Sequence, residues 1–189
     1  KGNAELGIVK TAGTSTTQSI TAGGGITYER DRWRHVGTID ILNTSSNNAT
    51  SAERYTATGQ STYKLDTLSY VFGRLGYEND RFAGFDYRTT EVIGYGRRII
   101  NADAITLDLE AGPGARQTRF TNDGSTSEAM GRVAALFAWK VSSTATFTED
   151  LSSDIGPDAT VTKSITALTA QVAGNLAMKD SLPLRNISK

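Results

Sequence analysis

Asp108 and Glu110 stand two residues apart, and two residues is the side-chain repeat of a β-strand. The two carboxylates therefore share one face. Paired carboxylates can do acid–base work. Here Arg98 precedes them and Arg132 follows on the neighbouring segments, and guanidinium groups so placed would hold both carboxylates ionised. The chemistry to expect is ion pairing across strands. Arg74, Arg98, Asp108, Glu110 and Arg132 form a candidate charge ladder with both signs interspersed. Such a ladder either braces an enclosed polar interior or gives a solute constriction a modest charge preference. By phase, Arg34, Asp40, Arg54, Lys64, Glu78, Arg116, Glu128 and Lys140 fall on the same set of faces.

Other chemistry finds little support. His35 is the single histidine and sits beside Trp33 on an apolar face, a place for an interfacial ring rather than a general base. No nucleophile elbow is present, and no serine stands near His35 in a recognisable motif. No catalytic residue is assigned, and the chain is not expected to be an enzyme. Asp150, Asp154 and Asp158 could gather near one loop as loose Ca²⁺ ligands. A firm site needs three or four converging ligands, so neither a metal nor another cofactor is assigned. The Gly94–Gly96 and Gly112–Gly114 pairs lie inside strand patterns, where glycine eases curvature or close packing rather than cradling phosphate.

Strands must position these charges. Eleven stretches alternate apolar and polar residues. Ser19 to Arg30 is one: Ile20, Ala22, Gly24, Ile26 and Tyr28 share a face, and Ser19, Thr21, Gly23, Gly25, Thr27 and Glu29 share the other. Further strands are predicted over residues 3–11, 33–43, 52–65, 69–79, 87–99, 104–118, 126–141, 144–156, 160–173 and from 176 onward. The sixth is the least regular, with Ile93 and Tyr95 placed on its apolar face. Short turns at 30–32, 66–68, 101–103 and 142–143 alternate with longer loops at 43–51, 80–86 and 120–125. Short turns at one end and longer loops at the other fit an outer-membrane barrel.

Composition permits this reading. The 189 residues carry 20 Lys plus Arg and 20 Asp plus Glu, so no basic excess draws nucleic acid. Cysteine is absent, which excludes disulfides and thiolate metal sites. No apolar run reaches the roughly 18 residues of a membrane helix, but alternating barrel strands leave average hydropathy low in any case. No signal segment precedes Lys1, so an exported protein would be present in mature form.

The aromatic residues gather at strand ends. Tyr28, Trp33, Tyr63, Tyr95 and Trp139, with Phe147, lie near the short turns. Tyr55, Tyr77, Phe82, Phe85, Tyr87 and Phe120 lie near the longer loops. Such rings prefer the headgroup region, so two clusters predict two girdles facing lipid. Tyr70 also lies near a short turn, but its phase turns it to the polar face.

Several runs carry a family likeness: residues 4–7, 27–35, 52–55 and 72–75, and above all Tyr77-Glu78-Asn79-Asp80-Arg81-Phe82 and Leu107-Asp108-Leu109-Glu110-Ala111-Gly112-Pro113-Gly114. On these runs the chain resembles the salt-induced outer membrane proteins, over nearly its whole length. The resemblance implies an exported barrel in a Gram-negative outer membrane, associated with salt stress, and it supplies no catalytic residue.

The expectation is thus all-β: one antiparallel up-and-down transmembrane β-barrel domain over 1–189, of twelve strands with eleven present and the closing strand missing. Its partner is outer-membrane lipid, a homo-oligomer is compatible, and nucleic acid is not a partner. Its role is structural or weakly conducting. The alternatives are a small-solute channel with a charged constriction and a soluble lipocalin-like ligand-binding barrel. The lipocalin case reverses the two faces. A third, an outer-membrane hydrolase using His35, ranks below these.

Overall fold

In the computed structural model, residues 2–11, 17–46, 49–80, 84–121, 124–173 and 176–188 are described. Among them all regular structure is β. The strands are β1 (Gly2–Thr11), β2 (Thr17–Arg30), β3 (Trp33–Ser46), β4 (Ala49–Lys64), β5 (Ser69–Asp80), β6 (Phe85–Asn101), β7 (Ile105–Phe120), β8 (Gly124–Lys140), β9 (Ala145–Ile155), β10 (Thr160–Ala173) and β11 (Leu176–Ser188). They form one sheet whose spatial order is the sequence order. The chain is an antiparallel up-and-down meander, with register running strand to strand from β1 to β4 and from β8 to β11.

Every predicted strand is present, and several extend into the predicted long loops. β3 runs on to Ser46 and β4 resumes at Ala49, β6 begins at Phe85, and β8 begins at Gly124. Apolar alternation stops before the strands do. A ladder needs only backbone donors and acceptors, so polar residues continue it. The side chain of Phe82, counted above among the rings near the longer loops, lies outside the described residues.

The short turns are built by local polar chemistry. Arg30 pairs with Trp33, and Asp31 between them adopts φ 51°, a left-handed conformation that Asp tolerates better than most residues. Asp66 Oδ1 accepts from the amides of Leu68 and Ser69, both at 2.7 Å. Ser142 Oγ accepts from the amides of Thr144 and Ala145 at 3.2 and 3.0 Å. Each caps donors that the ladder leaves open.

Two compact units make up the chain: Lys1–Tyr63 with Gly73–Val92 and Ala115–Ser127, and Lys64–Phe72 with Ile93–Gly114 and Glu128–Lys189. In the first, Ile26, Tyr28, Ile39, Leu75 and Tyr77 are exposed, while Glu78, Asp80, Arg116 and Thr118 are buried. In the second, Ile93, Leu109, Val133, Leu151 and Leu184 are exposed, while Ser69, Glu110 and Arg132 are buried. Each unit thus exposes its apolar face and buries much of its polar one. Among the described residues the buried faces also hold apolar side chains: Phe85 and Val92 in the first unit, and Phe72, Met130, Ala134, Val161 and Ala167 in the second. The usual sorting of a water-soluble domain is reversed.

Candidate functional site

The buried polar faces hold the charges. In the second unit, β6 brings Arg98 beside Asp108 of β7. Arg98 Nε and Nη2 donate to the two oxygens of Asp108 at 2.7 and 2.9 Å, a fork-on-fork pair. Glu110, two residues on and only 5% exposed, accepts instead from Tyr70 Oη of β5 at 3.0 Å. Tyr70 reaches β7 because β6 has no side chain in the way. A β-carbon on Gly96 would stand 2.3 Å from the Tyr70 ring, and one on Gly94 would stand 2.5 Å from Phe72 Cζ. Next to them, a β-carbon on Gly112 would stand 2.1 Å from the carbonyl oxygen of Ile93. The three glycines are therefore seats for two rings and for a close strand approach.

Arg132 does not join Asp108 and Glu110, as the predicted ladder had it. Its Nη1 donates to Asp154 Oδ1 of β9 at 2.7 Å, its register partner on the other side. A charged residue on a middle strand has two flanking strands to choose from, and Asp154 stands directly opposite. This also removes Asp154 from the conceivable Ca²⁺ cluster. Among the described residues no three His, Asp or Glu groups come together as metal ligands.

Arg74, the remaining ladder residue, lies in the first unit. Its Nη1 donates to Gln60 Oε1 at 3.2 Å. The same unit holds a second ion-pair group. Arg54 Nε meets Asp80 Oδ2 at 2.9 Å and Glu78 Oε1 at 3.7 Å. Arg88 Nε donates to Thr118 Oγ1 at 3.2 Å, and its guanidinium lies 4.4 Å over the Phe85 ring. Phase alone placed Arg54, Glu78 and Arg116 correctly on the polar face. Asp80, two residues beyond Glu78, was available by the same rule. Arg88 was missed because it lies in the irregular sixth strand.

The predicted girdle residues are on the apolar face. Trp33 packs against Tyr63 with ring centroids 5.0 Å apart, and His35 stacks between Trp33 and Tyr28 at 5.7 and 6.3 Å. In the second unit Trp139 is the register partner of Phe147, and Tyr95 is 46% exposed. At the other strand ends Tyr77 stacks on Tyr87 at 6.3 Å. Phe85 departs from this pattern. It is turned to the buried face beneath Arg88, 2% exposed, because that guanidinium provides a cation–π partner there.

His35 has a serine neighbour that sequence proximity could not reveal. Ser61 of β4 is its register partner, and Ser61 Oγ lies 2.8 Å from His35 Nδ1. Trp33 and Tyr28 stack on the ring, and among the described residues no carboxylate is hydrogen-bonded to it. The arrangement orients the imidazole within an aromatic ledge.

The profile of a family described as "Protein of unknown function, DUF481" matches residues 4–189. The Escherichia coli (strain K12) protein described as "Uncharacterized protein YdiY" is 30% identical over 181 residues, which is 95% of this chain and 71% of that protein.

Proposed function

The chain belongs to the DUF481 family, and from that premise we propose that it is an outer-membrane β-barrel with a structural or weakly conducting role. One observation carries this reading: the apolar faces of the strands are exposed and the polar faces are buried. In water, contiguous exposed aliphatic surface on this scale is a liability. In a bilayer it is the required exterior, and the charged face becomes a hydrated interior. A strand sheet in lipid must also close, since each unpaired backbone group there costs several kcal/mol. A soluble lipocalin-like barrel needs the opposite sorting, so the face distribution disfavours it.

The reading favours weak conduction over an open channel. In each unit the polar-face charges are engaged with neighbours: Arg98 with Asp108, Tyr70 with Glu110, Arg132 with Asp154, and Arg54 with Asp80. Neutralised pairs offer a passing ion little net charge. The salt-stress setting comes from the family resemblance alone.

Two measurements test the proposal. The full chain should partition with outer membranes and give a heat-modifiable gel band. Full solubility without detergent would end the reading. In planar bilayers the protein should give small or no steady conductance, and a large stable conductance would replace the structural role with a channel.

A further inference from the structure

The exposed face carries polar residues as well, among them Glu91 of β6 and, most densely, a strip on β10. On β10, Thr160, Thr162, Ser164 and Thr166 share the face that also carries Leu168. Register lays this hydroxyl strip beside Glu149 of β9. Phe137, Glu149, Thr166 and Leu182 form one cross-strand row, Ala135, Leu151, Ser164 and Leu184 the next, and Val133, Ser153, Thr162 and Asn186 the third. The hydroxyls of Ser164 and Thr166 both donate to the Glu149 carboxylate. Ser153 and Thr162 bond to each other at 3.1 Å. Apolar side chains flank the strip, with Val133, Leu151, Leu182 and Leu184 all exposed.

A carboxylate on a lipid-facing row is costly, and hydroxyls gain nothing from hydrocarbon. The same face carries an opposite charge in the same unit. Arg97 shares the face of Ile93 and Tyr95 on β6 and is exposed. It stands four residues inside the β6 end at Asn101, and Glu149 stands four residues inside the β9 start at Ala145. Those two ends lie at short turns on the same side of the meander. Copies of one chain enter a membrane in one orientation, so these two charges meet at equal depth between neighbouring copies.

We propose that the β9–β10 strip is a docking surface for a second copy of this chain, with Glu149 of one copy facing Arg97 of the next. The contact is head-to-tail: two different faces meet. It rests on the membrane-barrel reading above.

The chain has no cysteine, so disulfide trapping is clean. Tyr95→Cys and Leu151→Cys, each two residues from the proposed charge partners, are made separately in the full chain and co-expressed in outer membranes. Mild oxidation should yield a cross-linked dimer in the mixture and not with either variant alone. Glu149→Arg in the Leu151→Cys chain should cut the yield at least tenfold, and adding Arg97→Glu to the Tyr95→Cys chain should restore it. A membrane-resident, heat-modifiable protein with no mixed cross-link overturns the docking and leaves the barrel reading intact. Cross-linking of Leu151→Cys with itself overturns the head-to-tail contact. A protein recovered without detergent overturns both readings.

Discussion

The ring of Tyr70 occupies the space that a side chain on Gly96 would fill, with 2.3 Å from the ring to the missing β-carbon. Through that vacancy the Tyr70 hydroxyl crosses β6 to Glu110. The link joins three consecutive strands through one side chain.

Gly96→Ala should therefore push Tyr70 aside and break the bond to Glu110, at a cost of about 1–3 kcal/mol. Gly112→Ala should cost more, because its β-carbon would meet the backbone of Ile93 and Gly94 rather than a ring that can swing. Gly131→Ala, with open space around it, is the control and should be nearly neutral. Urea unfolding of the protein reconstituted in lipid vesicles ranks the three.

Arg98 and Asp108 form a forked pair on the buried face. Asp108→Ala should destabilise by about 1.5–3 kcal/mol, the range for hydrogen bonds to charged groups. Arg98→Ala with Asp108→Ala should cost less than the sum of the single changes, since neither charge is left alone. If the interior conducts at all, Asp108→Ala with Glu110→Ala should shift ion preference toward anions, which reversal potentials across a salt gradient would report.

The Asp66 carboxylate holds the amides of Leu68 and Ser69, and those bonds keep its pKa below the usual 3.8. The unfolded chain then takes up this proton at a higher pH than the folded one. The turn's contribution is complete above the ordinary value and fades as pH falls through the depressed folded one. Asp66→Asn should therefore be the less stable protein at neutral pH, and the gap to wild type should narrow as pH drops below 3.8. Comparing heat-modifiability midpoints of the two proteins from pH 6 downward reads this directly.

Trp33 and Trp139 are the two tryptophans, and both stand at short-turn ends of their strands with about half of each ring exposed. Lipids brominated at graded depths should quench both at one shallow depth near the headgroups. Trp33→Phe and Trp139→Phe, measured separately, should give the same depth. Quenching by aqueous iodide alone would contradict the girdle.

Much of this fold is legible in the sequence, because a period of two leaves one answer for each residue's face. Tyr70, Arg98, Asp108 and Glu110 were all placed on the polar side that way. Partners were less readable. Arg132 could turn to β7 or to β9, and only register puts Asp154 opposite it. Tyr70 reaches Glu110 over a strand that lies between them, so no pairwise rule would join the two. His35 and Ser61 are 26 residues apart and meet only through the β3–β4 register. Glu149 interrupts an apolar row, and a reading that follows the majority of a row passes over its exceptions.

The strand order has a consequence for how the molecule comes to exist. Each strand's sheet neighbours are its neighbours in the chain, so until the sheet closes no segment need wait for a distant one. Closing each hairpin across a short turn costs little loop entropy. Each finished hairpin then presents an edge on which the next strand can form. Assembly of this kind is a zipper, and its rate should depend on the turns more than on total length. Asp31, Asp66 and Ser142, the small polar residues of the short turns, would then set the tempo of folding.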